Sequence, residues 1–230
     1  MFPLNDTEPN RYSFLPIMTI LLIVVNCLVF LFELFSMSQS FGGFWAILMK
    51  YAVTPTLILS VQGGGAVSNV TAMFMHGGFL HLFGNMLALW VFGRRVEDAC
   101  GSVRFLAFYL LAGTMAHVLF VAVQHNSDVP GIGASGAIFG LMGAYLVLYP
   151  GGRIRTLIIW FIPLWPRIRA IWIVLYFVGI QIAPAFRILT EDAEYSVNHW
   201  AHLGGFFSAV FILLFLRPEA YARYLSDTPV

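Results

Sequence analysis

The stretch VPGIGASGAIFGLMGAYLVLYPGG (Val129–Gly152) carries no charged side chain, yet a serine, Ser135, stands inside it behind a glycine-rich entry. A bilayer core asks for about 20 largely apolar residues per helix, so this run is long enough to hold one span. The same pattern recurs along the chain, where residues 12–32, 51–93, 105–127, 170–186 and 195–216 are also free of charge. Composition agrees: of 230 residues, 60% are hydrophobic and 10% charged, with a mean hydropathy of +0.83, against roughly a quarter charged in soluble domains. A net charge of +1 leaves no field for gripping nucleic acid or an acidic partner. The bilayer is the partner that the composition demands. Cys27 and Cys100 imply no disulfide framework.

The gaps predict an all-α membrane protein with six transmembrane helices, at about Leu15–Phe35, Phe79–Phe92, Val103–Gln124, Ser135–Tyr149, Ala170–Phe186 and Trp200–Leu216. The second and fourth are short. The first is retained rather than cleaved, because acidic Asp6 and Glu8 precede it and no small-residue cleavage site follows. Between the first two spans, glycines and Pro55 interrupt a stretch rich in Phe41, Phe44, Trp45, Leu48 and Tyr51, which suits an element lying at the interface. Thr156–Pro166, with two prolines between arginines, reads as a membrane-dipping loop. Arg11, Arg94, Arg95, Arg104, Arg153, Arg155, Arg167, Arg169, Arg217 and Arg223 fall on one set of alternate segments, and only Lys50 and Arg187 on the other. The positive-inside rule then places both termini in the cytoplasm. With no repeat of 20 to 50 residues, residues 1–230 form a single domain whose core is about 15–216.

Polar side chains inside spans need a reason. Counted from the cytoplasmic anchors at about 1.5 Å per residue, Ser135, His202 and His81 each lie roughly 20 Å up their helices, which is about 10 Å below the outer surface of a 30 Å core. Asn85 shares the helix face of His81, four residues on. By the same count His117 sits near that level too, so depth leaves His117 and His202 both open as a base. The flanks favour His202, because Gly136 and Gly140, Gly205 and Ala209, and Gly204 and Ser208 form the small-residue spacing that lets membrane helices approach. His117 has a less crowded neighbourhood.

A serine hydroxyl is inert until a base takes its proton and donors steady the developing oxyanion. Gly131, Gly133 and Gly136 permit a tight loop that puts Ser135 at a helix start, where backbone N–H groups are free. His202 would then be the base, with His81, Asn85 and the Ser135 N–H as oxyanion donors. Blander readings stand beside these: Ser135 as a helix N-cap, His202 as a satisfied buried histidine, His81 and Asn85 as interhelical glue, His76 as loop packing. A metal site at His76, His81, His199 and His202 lacks any His-Glu-x-x-His element. An α/β-hydrolase elbow would need glycine where Ala137 stands. Glu33, His117 and His125 read as structural or interfacial, and a proton-relay transporter would want more intramembrane carboxylates than Glu33 alone.

At these positions the chain resembles the rhomboid family of intramembrane serine proteases, prokaryotic type. His76-x4-His81-x3-Asn85, Gly133-Ala134-Ser135-Gly136 and Ala201-His202-x2-Gly205-x3-Ala209 match its three motifs in order, and Gly93–Asp98 is typical of prokaryotic members. The resemblance implies a six-helix rhomboid-like bundle, Ser135 and His202 as a catalytic dyad with no carboxylate third member, and His81 and Asn85 at the oxyanion hole. Gly133, Gly136, Gly205 and His76 are the supporting motif residues. It also implies no cofactor and no metal, transmembrane segments of other proteins as substrates cut near the outer leaflet, and a bacterial inner membrane as host. A rhomboid-like binding or escort factor is the alternative, though such relatives typically lose the serine or the histidine. The chain departs from the pattern twice: Phe139 stands where some members have a tyrosine that stacks on the histidine, and the loop before the second span has Val61-Gln62-Gly63 and Asn69-Val70-Thr71 in place of a Trp-Arg pair.

Overall fold

A computed structural model describes residues 1–7, 15–62, 64–159, 163–191 and 198–216. Glu8, Arg11, Gly63, Arg217 and Arg223, used in the reading above, lie outside the described residues, as do 160–162 of the expected membrane-dipping loop.

The chain opens with strand β1 (Phe2–Asp6) and the long helix α1 (Ile17–Gln39). Three short helices follow in the glycine-interrupted stretch: α2 (Phe41–Tyr51), α3 (Pro55–Leu59) and α4 (Ala66–Thr71), the last running on into a tight turn at Ala72–Phe74. Ser40 caps α2 by accepting the Gly43 N–H at 3.2 Å, and Pro55 occupies the first position of α3, where its missing N–H costs nothing. Next come α5 (Phe79–Ala88), a wider five-residue turn at Leu89–Gly93, and α6 (Arg94–Cys100). The segment Ala66–Phe74 meets Phe79–Cys100 at 91°. Gly101, at φ 81°, turns the chain into α7 (Ser102–Val123). The remaining helices are α8 (Ser135–Leu148), α9 (Ala170–Glu191) and α10 (His199–Leu216).

Four of the described helices, α1, α7, α9 and α10, are long and apolar enough to cross a membrane, and the bent pair counts as a fifth. The first, third, fourth and sixth predicted helices match to within about four residues, because charge-free gaps mark apolar runs directly, whereas the second runs on through α6 to Cys100 and the fifth to Glu191. Helix α8 is the short one. Its residues Gly136 to Tyr145 are all buried, so it touches protein on every side.

Glycine makes that central seat possible. A Cβ added at Gly136 would lie 2.6 Å from the Ala116 Cβ, one at Gly140 2.6 Å from the Ala112 Cβ, and one at Gly143 2.8 Å from the Ala209 Cβ. Thus α8 presses on α7 through the first two and on α10 through the third. A Cβ at Gly205 would collide with the Gly136 carbonyl oxygen, so α10 rests backbone to backbone on α8. Gly204 meets α7 instead, at Leu119 and Ala116. The neighbourhood of His117 is therefore as tight as the others, contrary to the reading from its flanks. Ala112 and Ala116 supply small side chains one turn apart, which serve close approach as glycines do.

One part of the molecule is not helical. The predicted membrane-dipping loop and the all-α architecture are corrected by a four-stranded sheet, in which β2 (Arg153–Ile159) pairs antiparallel with β1 on one edge and with β3 (Pro163–Leu164) and β4 (Arg167–Arg169) on the other. The register sets Arg153 opposite Arg169, Ile154 opposite Ile168 and Arg155 opposite Arg167. Alternation puts the arginines on the exposed face and Ile154 on the buried one.

Charged side chains gather beside this sheet. Asp6 accepts from the Arg95 Nε at 2.7 Å and from the Tyr145 hydroxyl at 2.9 Å. Arg94 donates to Asn5. Glu97, 1% exposed, accepts the Met18 and Thr19 backbone N–H groups at 2.8 Å each, the Thr19 hydroxyl at 2.7 Å and the Ser102 hydroxyl at 2.6 Å. A carboxylate from α6 thereby caps α1, satisfying orphan amides and meeting the positive end of its dipole.

Candidate active site

Ser135 is the first residue of α8 and makes no capping hydrogen bond, so the N-cap reading does not describe it. Its loop is pinned from two sides. Gly131 exchanges backbone hydrogen bonds with Val53, at 2.8 and 3.1 Å, and the Gly133 N–H donates to the Ala72 carbonyl at 2.8 Å. Gly133 has φ 118°, a conformation that a side chain would strain.

Across from it, the half-buried Ser135 Oγ and the His202 Nε2 lie 2.7 Å apart. The His202 ring is buried and stacked on Phe139, with centroids 4.4 Å apart and planes 6° from parallel. The missing tyrosine hydroxyl thus leaves the stacking ring in place. The other ring nitrogen, Nδ1, meets the Gln181 Oε1 at 2.9 Å.

His81 and Asn85 meet the loop at Gly133. A Cβ at Gly133 would sit 2.9 Å from the His81 Nε2 and 3.7 Å from the Asn85 Nδ2. The Asn85 amide nitrogen is buried and has no hydrogen-bond partner among the described residues. It is a donor held at the serine loop with nothing yet to donate to, and an orphaned buried donor costs about 1–3 kcal/mol. His76 is 2% exposed. Its ring lies edge-on to His81, centroids 5.1 Å apart, while its backbone N–H donates to Glu33 at 3.2 Å. The loop carrying the first histidine is therefore fastened to α1 through Glu33.

The two histidines that depth left open part here. His117 Nδ1 sits 2.9 Å from the Asn69 Oδ1 and 3.1 Å from the Asn69 carbonyl oxygen, bonded to α4. Only His202 is hydrogen-bonded to Ser135 among the described residues. Gly136 and Gly205 stand at the contact between α8 and α10 that brings Ser135 and His202 together, and Gly133 stands where the loop meets His81 and Asn85.

Sequence reasoning missed Gln181. It is a polar side chain within the charge-free run 170–186, and the test that singled out Ser135 and the histidines would have found it. His199, considered only as a metal ligand, bonds the same Gln181 oxygen at 2.6 Å.

A nucleophile-to-base hydrogen bond, a ring fixed from behind, and an unpaired donor beside the nucleophile's loop can support acyl transfer. The rhomboid domain family model matches residues 63–219. Rhomboid protease GluP of Bacillus subtilis is 46% identical over 84 residues, which cover 36% of this chain and 16% of that protein. RHOMBOID-like protein 5 of Arabidopsis thaliana is 28% identical over 161 residues, 69% of this chain and 47% of that protein. Rhomboid protein 1, mitochondrial, of Saccharomyces cerevisiae is 32% identical over 114 residues, 48% of this chain and 32% of that protein. Each match thus spans less than half of the relative's length. By the family model, which takes in Ser135, His202, Gln181, His81, Asn85 and His76, the chain belongs to the rhomboid domain family.

Proposed function

We propose that the chain is an intramembrane serine endopeptidase that cuts transmembrane segments of other membrane proteins near the outer leaflet. The observation that carries this reading is the 2.7 Å contact between the Ser135 Oγ and the His202 Nε2, at a loop flanked by the unpaired Asn85 amide.

In the first step His202 takes the Ser135 proton on Nε2 while Oγ bonds to the substrate carbonyl carbon. The carbonyl oxygen becomes an oxyanion, held by the Asn85 amide, His81 and the Ser135 backbone N–H. The C–N bond then breaks and the amine leaves with the proton from His202. Water, deprotonated by the same ring, hydrolyses the acyl-serine and restores the enzyme. Phe139 limits the ring to the plane in which both transfers are possible.

Six spans, α1, the bent pair through α5 and α6, α7, α8, α9 and α10, carry this site, with both termini in the cytoplasm and a bacterial inner membrane as host. Because α8 is short and the serine stands at its first residue, the site lies partway down from the outer surface, within reach of external water. A substrate helix protects its peptide bonds by internal hydrogen bonds and must unwind locally. Segments with small residues at the cut and Gly or Pro below it are therefore expected to be cleaved in preference to a poly-Leu helix.

The test is cleavage of single-span reporters by the full chain in liposomes, together with serine labelling by a fluorophosphonate. Cutting and labelling that both disappear in Ser135→Ala support the reading. Wild-type protein that neither cuts several reporters nor takes the label overturns it in favour of a non-catalytic escort factor.

A further inference from the structure

Gln181 lies 21 residues before His202 in the chain, on α9, and its buried carboxamide has a defined orientation. Its Nε2 donates to the Phe177 carbonyl at 3.1 Å, one turn back on the same helix. That contact turns Oε1 toward α10, where it meets the His202 Nδ1 at 2.9 Å and the His199 Nδ1 at 2.6 Å.

A carboxamide oxygen only accepts. Each histidine must therefore present Nδ1 as an N–H. For a neutral imidazole this decides the other nitrogen as well, since one ring nitrogen donates and the other accepts. His202 is then protonated on Nδ1, and its Nε2 lone pair points at the Ser135 hydroxyl 2.7 Å away. The opposite tautomer would put two donors, Nε2–H and O–H, face to face at the serine. It would also put two acceptors, Nδ1 and Oε1, face to face at the glutamine.

We infer that Gln181 is the positioning residue of the catalytic base: from α9 it holds His202 in the Nδ1–H tautomer and leaves Nε2 free to take the Ser135 proton. The inference rests on the acyl-transfer reading. It makes the dyad a three-membered relay whose third member is neutral. The amide dipole orients the ring and steadies the imidazolium formed in the transition state, without the full countercharge that a carboxylate would bring. His199 fills the second lone pair of the same oxygen, so the acceptor is fully used. The titratable groups acting on His202 are His199 on its own helix and His81 on α5; Ser135 and Gln181 are the neutral groups bonded to it.

The experiment compares wild type, Gln181→Leu and Gln181→Glu as full chains in liposomes, reading kcat, KM and the pH profile on a single-span reporter. Nitrogen NMR of histidine-labelled protein reads the tautomer of His202 directly. Gln181→Leu, apolar and without an acceptor, is expected to lower kcat about 100-fold, on the scale of lost general-base function, with KM within about twofold, and to leave His202 in mixed tautomers. Gln181→Glu keeps the acceptor and is expected to restore kcat to within about threefold of wild type. Its negative charge favours the imidazolium, so the acidic limb of the pH profile should move up by about one unit. A Leu variant that keeps kcat within about threefold, or an Nδ1–H tautomer that survives the loss of Gln181, overturns the inference. Should the Leu variant not fold, the nitrogen spectrum of the wild type decides, because a His202 that carries its proton on Nε2 overturns the inference. Should wild type cut nothing, the protease reading fails while the nitrogen spectrum still decides the tautomer.

Discussion

The molecule has two polar ends, and they are built on opposite plans. At the sheet end both oxygens of Asp6 and both of Glu97 are engaged: Asp6 by Arg95 and Tyr145, Glu97 by two α1 amides and two hydroxyls. At the serine end the Asn85 amide nitrogen and the His76 Nε2 have no hydrogen-bond partner among the described residues. Satisfied charge-assisted bonds hold helices together, whereas the buried Asn85 amide, a donor with no partner among the described residues, is strain that a developing oxyanion would relieve. The comparison teaches where stability and reactivity are kept apart. Substitutions at one end should change how firmly the protein holds, and at the other how fast it works.

The sharpest way to break this division is at the dyad. Ser135→Ala and His202→Ala should each lower reporter cleavage by about 10⁴-fold or more while leaving the denaturation midpoint in mixed detergent micelles nearly unchanged. A large loss of stability in either would show that the serine end also holds the fold. Glu97→Ala is the mirror experiment. With four bonds lost at a buried carboxylate it should cost about 3 kcal/mol of stability, read from the same midpoint, while kcat of the surviving folded protein stays within about threefold. Asn85→Ala should lower kcat about 100-fold, the scale of one oxyanion donor, without destabilising, since that amide nitrogen has no partner to lose. The smallest effect belongs to His117→Ala. Its bond to Asn69 is worth about 1 kcal/mol, and cleavage should stay within about twofold. A large rate loss there would reopen the choice between the two histidines.

Most of the helical layout was legible in the sequence, for a reason particular to membranes. Arg94, Arg104, Arg153, Arg169 and Arg187 lie at or near the ends of apolar runs, and charge is the side-chain property that hydrocarbon tolerates least. The same intolerance made Ser135, His81, Asn85 and His202 conspicuous. Gln181 escaped because a lone amide carries no charge and matches no catalytic motif, although the depth argument applies to it equally. The sheet escaped for two reasons. The alternation of Arg153-Ile154-Arg155 and Arg167-Ile168-Arg169 is a period-two pattern, but so short that it read as a cluster of anchors. The strand that completes it, β1, lies far away in sequence, with Phe2 opposite Leu157. The cap on α1 is equally non-local, since Glu97 is 78 residues from Thr19. Pattern reading sees neighbours along a helix, and these contacts join distant parts of the chain.

The order of the chain has a bearing on its synthesis. Asp6, Glu97, Arg95, Tyr145 and the paired strands β1, β2 and β4 all precede residue 170, so the charged end can close before α9 and α10 exist. Ser135 emerges 67 residues ahead of His202, and Gln181 arrives between them. A nascent chain therefore carries its serine through the membrane without a proton acceptor. On the proposed reading that hydroxyl stays silent until the last helix packs in beside Gly136, so a half-made molecule holds a nucleophile without its base.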